Sequence, residues 1–150
     1  MDVADRKLEI VWWVLRIGLG LGAFVAGLDK FLDLLTTWSM YLSPLAERLL
    51  PVSGAVFMRA VGVVEMLVGL AILTRWTRLG AWAMAAWLLA IAANLAAAGS
   101  FWDLAMRDLE VALSAFALAR LTEWRAQRRG ALSEAGPEPV RIEPRSARAR

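Results

Sequence analysis

Residues 79–102 decide the fold of this chain, and their sequence is LGAWAMAAWLLAIAANLAAAGSFW, 24 residues without a charged side chain. A helix needs about 20 mostly apolar residues to cross the hydrocarbon core of a bilayer, so this stretch is long enough to span a membrane. Its runs of Ala, Leu and Trp do not alternate in polarity as the strands of a membrane barrel do, which favours a helix.

Three further apolar stretches flank this helix, at residues 10–28, 52–73 and 104–119. The last carries three charged side chains, and each costs about 2.5–3.5 kcal/mol near the centre of a spanning helix. It therefore spans only if those charges face protein, water or one another. We predict an all-α integral membrane four-helix bundle within residues 1–125, and its spans are expected at about 10–31, 52–73, 78–99 and 102–122.

Composition narrows the function. The chain has 150 residues, of which 59% are hydrophobic, with no Cys and no His. These absences exclude disulfide and thiolate chemistry, the commonest general base and most metal sites, so we expect no metal and no covalently bound cofactor. Any redox group would belong to a ligand or a partner. The net charge of +3 comes largely from the C-terminal tail, so we expect no nucleic acid partner.

The distribution of Arg and Lys predicts the topology, because cytoplasmic loops are enriched in both. Basic residues cluster before the first span, between the second and third, and after the fourth: Arg6, Lys7, Arg75, Arg78, Arg120, Arg125, Arg128 and Arg129. Both termini are therefore expected in the cytoplasm. The first stretch resembles a signal peptide only superficially, because Arg16 interrupts it and no cleavage motif follows.

Two segments outside the spans have their own patterns. In the long first loop, apolar residues recur at helical spacing from Phe31 to Leu42, which predicts a short amphipathic helix on the outer membrane surface. Residues 126–150 combine Pro residues and alternating charge with little to bury, so we expect a disordered, basic cytoplasmic tail.

Glycines on the first two spans predict close helix packing. Gly18, Gly20, Gly22 and Gly27 lie on the first span, and Gly62 and Gly69 flank Glu65 on the second. Small residues let helices approach closely in lipid, where no hydrophobic force drives them together. We interpret them as packing positions of the bundle and not as a dedicated dimer motif.

When depth is counted at about 1.5 Å per residue, most polar side chains of the predicted bundle converge on its outer half. Glu65 and Glu110 lie near the middle, and Arg16 lies alone in the inner half. The candidates for a polar cluster or ligand-binding site are Arg16, Lys30, Arg59, Glu65, Asn94, Arg107, Asp108 and Glu110. We expect Arg107 to pair with Glu110 one turn on, and Asp108 to need a partner from another helix. Structural ion pairs and an outward-facing polar cavity for a small molecule explain the convergence equally well.

Three segments resemble the DoxX family of small bacterial four-helix membrane proteins: VLRIGLGLGAFVAGLDKF (14–31), VGVVEMLVGLAILTRWTRLGAW (61–82) and MRDLEVALSAFALARL (106–121). The shared elements are an Arg before a Gly-rich span that ends in Gly-x-x-Lys-Phe, a Glu inside the second span, and Arg-Asp-Leu at the start of the fourth. The resemblance covers about residues 15–121.

This resemblance implies a redox setting, because the family is named for a subunit of an archaeal thiosulfate:quinone oxidoreductase. Other members are associated with oxidative-stress and thiol-redox assemblies. It also implies that Arg16, Lys30, Glu65, Arg107 and Asp108 are recurrent polar positions. Our first hypothesis is a membrane subunit of a redox complex that offers a quinone site, at most a quinone-reactive one. The alternatives are a non-catalytic scaffold and, more remotely, a small transporter; partner subunits and a homo-oligomer stay open.

Overall fold

The computed structural model of the protein describes residues 3–42, 44–99 and 101–134. Within them the chain is helical: α1 (Val3–Leu32), a 3-10 helix (Trp38–Tyr41), α2 (Pro44–Leu49), α3 (Gly54–Leu73), α4 (Thr77–Ala98) and α5 (Trp102–Glu134). Four of these helices are long, which agrees with the predicted all-α architecture. The turn from α4 to α5 begins at Gly99, whose φ of 73° ends α4 in the left-handed conformation that glycine adopts without strain.

Three of the long helices, α1, α3 and α4, are long and apolar enough to cross a membrane. Their outward faces are apolar, as shown by the 65% exposure of Val14 and the 60% exposure of Leu67. An apolar surface of this extent is typical of lipid contact. The fourth helix, α5, has 33 residues and is longer than the other three, but it carries too many charged side chains to meet the same criterion.

Glycines bring α1 and α3 into close contact, as their spacing predicts. A Cβ atom added to Gly27 would lie 2.5 Å from the carbonyl oxygen of Gly62, and one added to Gly62 would lie 2.5 Å from that of Gly27. About two helical turns further along α3, a Cβ atom added to Gly69 would lie 2.6 Å from the carbonyl oxygen of Gly20. The backbones of α1 and α3 therefore touch at two crossings where no larger side chain fits.

The helices pack most extensively in two pairs, α1 with α3 and α4 with α5. The pairs are joined at one end of the bundle, where Trp12, Ile72 and Leu118 are buried; we call this the packed end. Small residues allow this contact: Ala81 and Ala115 are fully buried there. The apolar core thus lies near the start of α1 and the middle of α5.

Polar contacts fasten α1 to α5 at the packed end. The indole N–H of Trp12 donates to Thr122 Oγ1 at 2.8 Å, and Arg125 forms an ion pair with Glu9. The Arg125 guanidinium also lies 3.6 Å from the centre of the Trp12 ring. Burial lowers the pKa of Arg125, and Glu9 opposes this shift only in part. The guanidinium nevertheless stays charged, because the side chain of arginine is not deprotonated in proteins.

Two segments differ from the sequence-based predictions. The first loop contains two short helices, Trp38–Tyr41 and Pro44–Leu49, in place of one amphipathic helix from Phe31 onward, because Phe31 still belongs to α1. The predicted disordered tail begins too early: α5 continues through residues 126–134, since Arg128 pairs with Asp5 of α1 and extends the packed end. Residues 135–150 of that tail lie outside the described residues.

Candidate functional site

A cavity of about 340 Å³ lies at the opposite end of the bundle from the packed end. All four long helices and the 3-10 helix contribute to its wall. Most of the lining is apolar, with Phe57, Val61, Leu88 and Ile91 among its residues. The polar side chains in the wall are Lys30, Glu65, Asn94, Arg107 and Asp108, with Trp38, Tyr41 and Trp87 beside them.

The most buried charges of the cavity form an ion pair between α1 and α3. Lys30 Nζ lies 2.6 Å from Glu65 Oε2, and the two side chains are only 5% and 13% exposed. Lys30 occupies the last turn of α1, where a cation also interacts favourably with the helix dipole. The Gly27–Gly62 crossing one turn away brings the two backbones close enough for this pair to form.

The segment after α1 covers the ammonium group of Lys30. Asp29 accepts hydrogen bonds from the backbone N–H groups of Leu34 and Leu35 at 3.1 and 3.2 Å, and from Trp38 Nε1 at 2.8 Å. This buried carboxylate thereby folds residues 33–38 back over the end of the helix, where Asp33 adopts a positive φ of 48°. The Trp38 ring consequently lies 3.7 Å from Lys30 Nζ.

The second ion pair of the cavity lies within α5. Arg107 Nη2 contacts Asp108 Oδ1 at 3.3 Å; the Arg107 side chain is 63% exposed and that of Asp108 only 11%. Arg107 therefore pairs with Asp108 and not with Glu110, so the pairing expected from helical spacing is wrong. The ion-pair partner of Asp108 is its neighbour in the chain, and Lys30 of α1 also acts on it electrostatically. A long, flexible Arg side chain can bend toward a carboxylate that points to the adjacent helix face.

Two uncharged side chains with N–H groups, Asn94 and Trp87, complete the polar lining. Asn94 Nδ2 on α4 donates to the carbonyl oxygen of Tyr41 at 3.3 Å, which attaches the 3-10 helix to α4. The indole nitrogen of Trp87 is buried beside Glu65, but among the described residues it makes no hydrogen bond of standard geometry. Because this nitrogen has almost no exposed surface and lies beside the Glu65 carboxylate, it is not available to a molecule in the cavity as the side chains stand.

Three of the candidate residues lie elsewhere. Arg16 is near the packed end, where it donates to the carbonyl oxygens of Ile72, Leu73 and Thr74 at 2.9, 2.6 and 2.7 Å. It thus caps the C-terminus of α3. Arg59 and Glu110 are exposed and do not line the cavity. The structure accordingly brings together Lys30, Glu65, Asn94, Arg107 and Asp108, and separates Arg16, Arg59 and Glu110 from them.

Sequence reasoning missed three aromatic residues of the cavity: Trp38, Tyr41 and Trp87. Trp38 and Tyr41 are typical of a membrane interface, and Trp87 lies inside an apolar span where packing explains it. Only the position of Asp29, buried and hydrogen-bonded to Trp38, reveals that the loop folds inward. The residue types and their spacing do not predict that this loop folds back over the end of α1.

The arrangement can hold an uncharged or zwitterionic molecule of modest size. Its volume lies at the lower end of the 300–1,000 Å³ that is common for ligand pockets, and a few polar groups converge within an apolar wall. No protein family, curated protein or solved structure matches this chain. In the part of the chain that the structure describes, no cluster of acidic side chains could hold a metal ion.

Proposed function

We propose that this protein is a DoxX-like, four-span protein of the bacterial inner membrane whose cavity binds a quinone or a molecule of similar size. In this proposal it serves as the membrane subunit of a redox assembly. The observation that carries the proposal is the cavity of about 340 Å³ in which Lys30, Glu65 and Asp108 are buried among apolar residues. Ionisable groups at such positions in membrane proteins usually serve a function.

The proposed topology has four spans and both termini in the cytoplasm. Support for a fourth span comes from the exposed apolar side of α5, where Leu113 and Phe116 are 61% and 45% exposed. Support for the orientation comes from the basic residues that surround the packed end, including Arg78, Arg120 and Arg128. The cavity then opens toward the outer half of the membrane.

The exposed charges of α5 bear on the proposed assembly. Arg107 and Glu110 lie on the surface of a helix that would cross the membrane. Ionised side chains avoid acyl chains, so these two groups must meet water at the mouth of the cavity or a protein neighbour. A partner subunit or a second copy beside α5 would provide that neighbour, which is consistent with a role inside a larger complex.

A quinone suits the cavity on chemical grounds. Its ring is apolar, its isoprenoid tail partitions into lipid, and its oxygens need hydrogen-bond partners at membrane depth. Phe57, Val61 and Ile91 offer apolar contact, whereas Arg107 offers donors. Because the chain has no Cys and no His, a partner protein would supply the electrons that reduce a bound quinone.

The test is quinone binding to purified protein in detergent. Lipid extracts of the protein are analysed for co-purified quinone by mass spectrometry, and a short-chain quinone is titrated while tryptophan fluorescence is recorded. Val61→Phe narrows the cavity, whereas Val63→Phe on the same helix adds the same ring at an exposed position. We expect weaker binding only for Val61→Phe. Equal affinity of the two variants, or no binding at all, would refute the proposed site.

A scaffold function is the second candidate, and the packed end favours it. Arg16 donates hydrogen bonds to the end of α3, and Arg125 forms an ion pair between α5 and α1. Both charged groups therefore stabilise the packing of helices. If the cavity charges act in the same way, Arg107→Ala lowers the abundance and the Tm of the protein. The fraction of the variant that folds then binds quinone as the original protein does. Normal stability combined with lost binding would exclude this second candidate.

A further inference from the structure

The hydrogen-bond donors of Lys30 are already used. Its ammonium group contacts Glu65 Oε2 at 2.6 Å and the carbonyl oxygen of Ala26 at 3.5 Å, and the Trp38 ring covers it at 3.7 Å. An ammonium group has three donors, so each of them has a partner. A bound anion would have to displace one of these contacts from a side chain that is only 5% exposed.

The two carboxylates of the cavity, in contrast, have acceptor capacity to spare. Lys30 occupies only one oxygen of Glu65, and Arg107 occupies only one oxygen of Asp108. Among the described residues, no hydrogen bond of standard geometry reaches the second oxygen of either group. Both side chains are largely buried, but among the described residues neither second oxygen is a fully buried atom without a partner, so both remain accessible from the cavity. These oxygens therefore favour a ligand that donates hydrogen bonds.

The charges of the site balance, because one cation accompanies each carboxylate. A ligand that fits this arrangement has no net charge, an apolar body and free hydroxyl groups. We propose, on the basis of the quinone-sized site described above, that the cavity prefers a quinol, which donates hydrogen bonds through its hydroxyl groups, over the matching quinone. The hydroxyl groups donate to Glu65 and Asp108.

Three matched probes test this preference: a short-chain dimethoxy benzoquinone, its dithionite-reduced quinol, and the di-O-methyl ether of that quinol. The ether keeps the reduced ring but lacks the O–H donors. Because the chain contains no Cys, the reductant leaves the protein unchanged. Affinities are measured in detergent by isothermal titration calorimetry, and each is corrected for the partition of the probe into micelles without protein.

We expect the quinol to bind about tenfold more tightly than either the quinone or the ether, because hydrogen bonds to charged acceptors are strong. Measurable quinone binding without a preference for the quinol would overturn this inference and leave the quinone site intact. A failure of all three probes to bind folded protein, checked by circular dichroism, would overturn both. Quinol and ether of equal affinity would show that the ring, and not its hydroxyl groups, is recognised.

Two variants compare the effect of a carboxylate that lines the cavity with that of a carboxylate on the outer surface of α5. Asp108→Asn keeps the shape of the side chain but removes the charge of the acceptor, and we expect the preference for quinol over ether to decline several-fold. Glu110→Gln makes the same change on the exposed surface of α5, two residues away. This control should retain the full preference. An equal decline in both variants would contradict the assignment of Asp108 as an acceptor for the ligand.

Discussion

Arg16 shows how a charged residue inside an apolar helix can be satisfied without an acidic partner. Its guanidinium donates to three carbonyl oxygens at the C-terminus of α3, where the helix leaves acceptors unused and carries a partial negative charge. The rings of Trp12 and Trp13 lie 4.8 and 5.1 Å from it. These contacts hold α1 against the end of α3.

Replacement of Arg16 by Met should therefore destabilise the fold. Loss of three charge-assisted hydrogen bonds, partly compensated by water at the helix end, is expected to lower the free energy of unfolding by about 2–3 kcal/mol. Arg59→Met is the matched control, since Arg59 is exposed on α3. Thermal unfolding in detergent, followed by circular dichroism, measures both. Equal Tm values for the two variants would show that the cap on α3 is dispensable.

Glu123 is the second informative residue, because it joins α4 to α5 at the packed end. The hydrogen bond from Trp82 Nε1, at 3.2 Å, holds the pKa of this carboxyl below its ordinary value, and Arg120 and Arg78 add to the effect. A carboxyl with a lowered pKa stabilises the fold at pH values above its unfolded pKa of about 4.5. The contribution disappears as the pH falls through the pKa of the folded state.

The stability of the protein should accordingly decline on acidification below about pH 4.5, and Glu123→Gln should remove part of that decline. The measurement is Tm as a function of pH for both proteins. Because Glu134 at the end of α5 makes no such contacts among the described residues, Glu134→Gln serves as the control and should follow the original protein. Parallel curves for the original protein and Glu123→Gln would contradict this role.

At the scale of elements, the α1–α3 contact depends on glycines that meet backbone to backbone. The two exposed glycines of α1 offer a direct comparison: nothing lies within 4 Å of a Cβ atom added to Gly18 or Gly22. The same helix thus carries one row of glycines that packs and another that does not. Spacing alone predicts close packing for both rows and does not tell which faces the neighbour.

Gly27→Ala should therefore be costly, whereas Gly22→Ala should not. The added methyl group at position 27 would lie 2.5 Å from a backbone oxygen, which cannot rotate away, and overpacking of this kind costs about 1–3 kcal/mol. At position 22, Ala improves helix propensity and is expected to be neutral or stabilising by up to about 1 kcal/mol. Tm values in detergent decide between these expectations. Similar losses in both variants would place the α1–α3 contact elsewhere.

At the scale of the whole molecule, the proposed topology can be tested by labelling single introduced cysteines, because the chain has no native Cys. Leu34→Cys introduces a thiol in the exposed segment at the cavity end, and Arg128→Cys introduces one at the packed end. We expect a membrane-impermeant maleimide to label the first in intact cells and the second only after permeabilisation. The opposite pattern would invert the orientation, and labelling of both would mean that α5 does not cross the membrane.

Much of the architecture was predictable from apolar runs. The uncharged residues 79–102 and the stretches around them predict long helices, and the structure has four. Boundaries were less predictable: α5 runs past residue 125 because Arg128 meets Asp5, a contact between residues far apart in the chain. For the site, counting depth along each helix placed Lys30 and Asp108 in the outer half of the bundle, but it also placed Arg59 there, which faces outward. It placed Glu65 and Glu110 together near the middle, although only Glu65 lines the cavity.

Composition and periodicity by themselves determined that this chain is helical, that α1, α3 and α4 are apolar enough to enter a membrane, and that it lacks Cys and His. The tertiary structure alone decided which charges meet. Lys30 pairs with Glu65 because two glycine crossings set the rotation of α1 against α3, and Trp38 covers that pair because Asp29 folds the loop back. The spacing of residues in the sequence specifies their position along the axis of one helix. Which side chains meet across two helices depends on how each helix is rotated about its axis.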